Sequence, residues 1–191
     1  MLYNFIRFCV FCFLRIFFRL EIQGIHNIPR QGAFILASNH VSNLDPLVVG
    51  ILPRGKIYFL AKEELFSPAP WGACLRFVGA VPLKRGRADL GAMKTAVMCL
   101  KNGRPLVIFP QGGRGKEKAK PGVGFLYKKS GVPLILAKVE GTDKVLPKGK
   151  KWCSFGRIRV IIQKAESIDK TQNPQDISTQ ILEHIKRIVY H

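Results

Sequence analysis

The chain has 191 residues, and 31 Lys and Arg against 12 Asp and Glu give it a formal charge of +19 at pH 7. That length is enough for one domain with a real core, and that charge draws polyanions: nucleic acid, an anionic membrane face, or phosphate and acidic-protein ligands. Five cysteines at irregular spacing do not make a disulfide framework, which points to a reducing compartment.

The first 20 residues carry Phe5, Phe8, Phe11, Phe13, Phe17 and Phe18, broken by Asn4, Arg7, Arg15 and Arg19. At 100° per residue the four polar positions fall within an arc of about 120° and leave the rest apolar. Three arginines argue against a spanning helix. The lack of an A-x-A-like site argues against a secretory signal. The pattern predicts an amphipathic helix lying in the headgroup region of the cytoplasmic face, monotopic, with its arginines toward lipid phosphates; a buried core helix is the alternative. Cys9 and Cys12 form a lone C-x-x-C with no second pair and no nearby His, so no metal site is expected there.

After residue 20, short apolar runs alternate with helical stretches, the pattern of an α/β domain. Strands are predicted at 33–37, 57–60, 79–83, 106–109, 133–139 and 157–162. Helices are predicted at 46–52, 69–76, 88–101 and 121–129. A last amphipathic helix follows Pro174, with Ile177, Ile181, Leu182, Ile185, Ile188 and Val189 on one face. The basic runs 114–120 and 144–151 read as solvated loops. With no repeat and no linker, the expected organisation is an anchoring helix at 1–20 and one domain at 21–191.

The segment Ser38-Asn39-His40-Val41-Ser42-Asn43-Leu44-Asp45-Pro46 sets a histidine and an aspartate five positions apart just after an apolar run. Five residues of regular helix is about 140° of rotation. The two side chains meet only if His40 lies in the turn before the helix and Asp45 near its first turn. Asp45 suits the N-cap and Pro46 the first helical position. A His ring held at one nitrogen by a carboxylate keeps the other free to take a proton near neutral pH. Read from these residues alone, a simple cap beside a loop histidine is an equal alternative. The other histidines are placed worse: His26 in a connector, His184 on an amphipathic helix, His191 at the terminus. Ser38 and Ser42 flank His40, but nothing resembles a G-x-S-x-G elbow.

The His-x4-Asp pattern resembles the signature of the glycerolipid acyltransferase family, whose best-known members are 1-acyl-glycerol-3-phosphate acyltransferases. Further blocks follow in the family's order: Gly79-Ala80-Val81-Pro82-Leu83-Lys84-Arg85, Phe109-Pro110-Gln111-Gly112-Gly113-Arg114, and Gly131-Val132-Pro133-Leu134-Ile135. The resemblance spans roughly 22–165 and implies a central mixed sheet flanked by helices. It implies transfer of an acyl group from an acyl thioester, on coenzyme A or acyl carrier protein, to the sn-2 hydroxyl of lysophosphatidic acid. The product would be phosphatidic acid, made without an acyl-enzyme, a metal or a cofactor. It also implies His40 as general base, Asp45 as its orienter, and Arg85 and Arg114 as phosphate ligands, with Gly112, Lys62 and Gln111 beside them in substrate binding. The chain departs from the pattern in having Gln111 where the family has Glu and Gly113 where it has Thr, which leaves the acceptor open to another lysophospholipid or lipid. Anionic membrane lipids are the expected surface partner. A non-catalytic basic protein bound to membrane or nucleic acid is the reading from another class; against nucleic acid stands the clustering of aromatics at the N-terminus, away from any Lys/Arg-rich strand surface.

Overall fold

The computed structural model describes residues 2–67, 69–84, 89–150 and 152–190. Seven strands form one mixed sheet in the order β1-β7-β6-β2-β5-β3-β4: β1 (Glu21–Gln23), β2 (Ile35–Ser38), β3 (Tyr58–Lys62), β4 (Ala80–Leu83), β5 (Leu106–Ile108), β6 (Leu134–Glu140) and β7 (Arg159–Lys164). Every neighbouring pair is parallel except β6 with β7, which run antiparallel with Ala137 opposite Ile162. The helices are α1 (Leu2–Phe17), α2 (Asp45–Gly50), α3 (Ala69–Phe77), α4 (Leu90–Lys101), α5 (Gly122–Ser130), α6 (Thr142–Val145) and α7 (Pro174–Arg187).

Side chains alternate across a strand, and that alternation divides the core in two. Leu36, Ile135, Ala137, Val139, Val160 and Ile162 face α1 and α2, meeting Leu14, Val48 and Val49. Ile35, Ala37, Leu106, Ile108, Leu134, Leu136 and Ile161 face the other way, against Ala96 and Leu100 of α4, Val123 and Leu126 of α5, and Ile177, Ile181 and Ile185 of α7. The central strands are buried on both faces, which is why they read in the sequence as continuous apolar runs. Six strands fall within about two residues of their expected positions. The seventh, β1, carries Glu-Ile-Gln at the sheet edge, half-buried throughout, and so has no apolar run to announce it.

The sequence places Asp45 at the cap of α2. In the structure Leu44 occupies that position and Asp45 is the first helical residue, its carboxylate turned back to the preceding turn. The arginines of α1 also differ from expectation. Arg7 Nη1 donates to the carbonyls of Ile51 (3.1 Å) and Pro53 (2.9 Å), and Arg15 Nη1 to that of Leu20. Carbonyls left over where α2 ends need donors, and a guanidinium supplies them. The inward face of α1 is therefore Tyr3, Arg7, Val10 and Leu14, with burial pushing the Tyr3 phenol above its ordinary range. The outward face is largely apolar: Leu2, Phe5, Ile6, Phe8, Phe13, Ile16 and Phe17 are all exposed, with Asn4 and Arg15 exposed among them. Among the described residues no helix is long and apolar enough to cross a membrane.

Helices α5 and α7 meet at Gly124. A Cβ there would lie 2.1 Å from the Pro174 carbonyl oxygen, while the Gly124 N–H donates to Ser178 Oγ at 2.9 Å. Backbone cannot yield as a side-chain tip can. Gly124→Ala should therefore cost about 1–3 kcal/mol of stability by overpacking, read as a lower urea midpoint with unchanged slope.

Candidate active site

The three central parallel strands β6, β2 and β5 end on the same edge of the sheet, and the segments leaving them converge there. This is where open α/β sheets place ligands, outside the carboxyl ends of the strands. Directly after β2, Asn39 extends the pairing with β6 through its side chain: Nδ2 donates to the Val139 carbonyl at 2.8 Å and Oδ1 accepts from the Val139 N–H at 2.7 Å. That amide fixes where the chain leaves the sheet and so where His40 begins.

The His40 Nδ1 lies 2.9 Å from Asp45 Oδ2. The same oxygen accepts the N–H groups of Val41 (2.6 Å) and Ser42 (2.7 Å), and Asp45 Oδ1 accepts the Thr142 hydroxyl at 2.5 Å. Asp45 is fully buried, and the His40 side chain keeps 14% of its surface exposed. With the N–H groups and the hydroxyl all aimed at it, the carboxyl acts as an acceptor, so a neutral imidazole carries its proton on Nδ1 and presents Nε2 as the acceptor. The ring stacks on Phe109, with centroids 4.3 Å apart and planes at 25°.

The segment after β5 grips the main chain of His40 on both sides. Gln111 Oε1 accepts the His40 N–H at 2.9 Å, and the His40 carbonyl accepts the Gly115 N–H at 2.9 Å. Gln111, itself buried, donates from Nε2 to the Lys116 carbonyl at 2.5 Å. Between these anchors lies Gly112, at φ +60° and with its N–H engaged by the Phe109 carbonyl. Among the described residues the N–H groups of Gly113 and Arg114 and the half-buried Arg114 guanidinium have no acceptor. The result is a cluster of unmatched donors beside the dyad, the arrangement that binds anions.

Lys62 ends β3, two strands from β2 or about 10 Å across the sheet, and its side chain is exposed on the same edge. Arg85 lies outside the described residues. No group of three or more His, Cys, Asp or Glu able to hold a metal occurs among the described residues.

Sequence reasoning missed Thr142, Asn39 and the stacking role of Phe109. Thr142 follows Gly141, which takes φ +87° and where a Cβ would sit 2.1 Å from the Arg157 carbonyl oxygen. A strand running into Glu-Gly-Thr was the available signal for a forced turn with a hydroxyl beside it.

Residues 19–138 match the family described as Acyltransferase. The chain is 32% identical over 157 residues to the chloroplastic 1-acyl-sn-glycerol-3-phosphate acyltransferase BAT2 of Brassica napus, covering 78% of this chain and 45% of that one. It is 30% identical over 147 residues to the 1-acyl-sn-glycerol-3-phosphate acyltransferase of Bacillus subtilis, covering 75% and 71%. It thus spans less than half of the plant relative and about seven-tenths of the bacterial one. Its fold is similar to the crystal structure of the 1-acyl-sn-glycerophosphate (LPA) acyltransferase from Thermotoga maritima, with a TM-score of 0.71, 24% identity, and coverage of 88% of this chain and 69% of that one.

A hydrogen bond to a buried carboxylate is worth about 1.5–3 kcal/mol. Thr142→Val, which keeps the shape and removes the hydroxyl, should lower stability by about that amount in urea denaturation, and Thr142→Ser should retain most of it. A loss in Thr142→Ser with none in Thr142→Val would mean that the methyl group, and not the bond to Asp45, matters.

Proposed function

The chain belongs to the acyltransferase family that includes the 1-acyl-sn-glycerol-3-phosphate acyltransferases, and we propose that it moves a fatty acyl group from an acyl thioester to the sn-2 hydroxyl of lysophosphatidic acid, giving phosphatidic acid. The observation that carries this reading is the His40–Asp45 dyad with Nδ1 engaged and Nε2 left as acceptor. In the proposed reaction Nε2 takes the proton of the acceptor hydroxyl as its oxygen attacks the thioester carbonyl. The carbon–sulfur bond breaks, and the imidazolium returns the proton to the departing thiolate. Asp45 holds the ring throughout, the part a buried orienting carboxylate plays beside a histidine base.

The acceptor phosphate is held by Arg114 and the unmatched N–H groups of Gly113 and Arg114, with Lys62 and Arg85 adding positive charge from β3 and the segment after β4. Gln111 has both ends of its amide on the backbone, so its part is to shape the loop that carries these donors. Gly112 supplies the left-handed residue of that loop. The acyl donor is carried on coenzyme A or acyl carrier protein; both are anionic and suit a chain of +19. The outward apolar face of α1 lies in the headgroup region at the cytoplasmic face of an anionic inner membrane. The Gln111 amide, in place of the carboxylate of the resemblance, favours a second reading in which a different lysophospholipid is acylated by the same chemistry.

Transfer of labelled palmitate from its thioester to lysophosphatidic acid, with detergent-solubilised protein, tests the base. His40→Ala should reduce turnover by about 10²–10⁴-fold, and turnover near wild type in a folded variant would remove His40 from that role. Arg114→Ala should raise KM for lysophosphatidic acid and leave a phosphate-free monoacylglycerol nearly unaffected. An equal rise for both acceptors would remove the phosphate role.

A further inference from the structure

The segment between α6 and β7 carries the two most exposed large apolar side chains in the described structure, Trp152 at 86% and Phe155 at 88%. They stand in a basic setting: residues 143–157 hold Lys144, Lys148, Lys150, Lys151 and Arg157 against the single acid Asp143. Arg157 pairs with Glu21 at 3.2 Å, while Lys144, Lys148 and Lys150 are exposed and without ion-pair partners among the described residues. A solvated basic loop, as the sequence suggests, has no need of a bare indole and a bare phenyl. Aromatic tips among lysines are the composition of a protein surface that enters the headgroup layer of an anionic bilayer.

The loop is rooted in two places that matter. At its start the Leu146 carbonyl accepts at 2.9 Å the hydroxyl of Ser42, whose N–H donates to Asp45. Within it the Ser154 N–H donates to the Val145 carbonyl at 2.7 Å. At its end Ile158 bonds both ways to the chain leaving α1, its N–H to the Phe18 carbonyl at 3.0 Å and its carbonyl to the Glu21 N–H at 2.9 Å. Phe155 is three residues from Ile158, within about 11 Å even if the chain is fully extended. Phe155 therefore lies near the end of α1, where Ile16 and Phe17 are also exposed, with Trp152 three residues back along the same loop.

We infer that the loop of residues 146–157 is a second membrane-docking element, in which Trp152 and Phe155 enter the interface of an anionic bilayer while Lys148 and Lys150 meet its headgroups. It acts together with the outward face of α1 and therefore rests on the membrane reading of that helix. One attached helix leaves a protein free to rock about its axis. A second contact near the helix end, rooted beside Ser42, removes that freedom and holds the dyad at a fixed height over the lipid. An acidic carrier protein would meet the same lysines, but it would not account for the continuity with the apolar face of α1.

The test uses the full chain. Trp71 and Trp152 are its two tryptophans, so a Trp71→Phe background makes Trp152 the sole reporter. If that background does not fold, the difference between wild type and Trp152→Phe gives the same signal. With phosphatidylglycerol-containing vesicles, Trp152 emission should shift to the blue and be quenched by lipids brominated on the upper acyl chain. Trp152→Ala with Phe155→Ala should weaken partitioning about tenfold or more and leave turnover on detergent-dispersed substrate unchanged. Lys148→Gln with Lys150→Gln should lower affinity for anionic vesicles roughly fivefold per lysine and have little effect on zwitterionic ones. Flotation with vesicles while Trp152 stays unquenched would overturn the inference and leave the α1 reading standing. Absence of flotation by the wild type would overturn both. A change in Trp152 emission with an acidic carrier protein but not with vesicles would overturn it in favour of a protein surface.

Discussion

The site depends on one buried carboxylate. Asp45 has no exposed surface and accepts hydrogen bonds from the His40 ring, the N–H groups of Val41 and Ser42, and the Thr142 hydroxyl. A charge removed from water is strongly unfavourable unless its lone pairs are matched, and here donors come from two segments about a hundred residues apart. The carboxylate thus joins the turn after β2 to the turn after β6, and neither can move without leaving it short of a partner. The imidazole inherits that rigidity. It is held at Nδ1 by Asp45, at its main-chain N–H by Gln111, at its carbonyl by Gly115 and on its face by Phe109. An imidazole fixed on four sides needs no reorganisation for the proton transfer proposed for it, the condition under which positioned groups act most strongly.

Sheet topology makes the convergence possible. Strands β6, β2 and β5 are neighbours and run the same way, so Thr142, His40 and the Gln111–Arg114 segment emerge side by side although 28 to 102 positions separate them in the chain. With β3 parallel to β5, Lys62 joins the same edge, and positive charge accumulates on the side where the donors of Gly113 and Arg114 are unmatched. The antiparallel pairing of β7 with β6 has a different consequence. It returns the chain to the edge strand β1 and to the end of α1, so the basic aromatic loop opens beside both the N-terminal helix and the dyad.

Much of this was legible in the order of residues because each feature rests on a local rule. Doubly buried strands leave apolar runs, Pro46 marks a helix start, and His40 and Asp45 meet only across a turn into a helix. The features that were not legible depend on distant partners. Nothing near Thr142 says that its hydroxyl reaches a carboxylate 97 residues earlier, and Asn39 looks like any polar residue after a strand until Val139 is placed beside it. The arginines of α1 show the same limit. Their shared arc was visible, but not that Arg7 within it turns inward to the carbonyls of Ile51 and Pro53 while Arg15 stays exposed.

The amide of Gln111 bears on how far the resemblance extends. Its orientation is fixed by its partners: the oxygen faces the His40 N–H and the nitrogen faces the Lys116 carbonyl. A glutamate in the same place could accept from His40, but it would set a carboxylate oxygen against the Lys116 carbonyl with no proton between them. A chain with the acid must therefore let the loop from 112 to 116 take another course or use another donor. In this protein the amide closes that loop at both ends, and the closure brings Gly115 onto the His40 carbonyl and Arg114 next to the dyad. With an amide at position 111 the site carries one charge fewer than it would with an acid, and the amide ties the loop of unmatched donors to the main chain of His40.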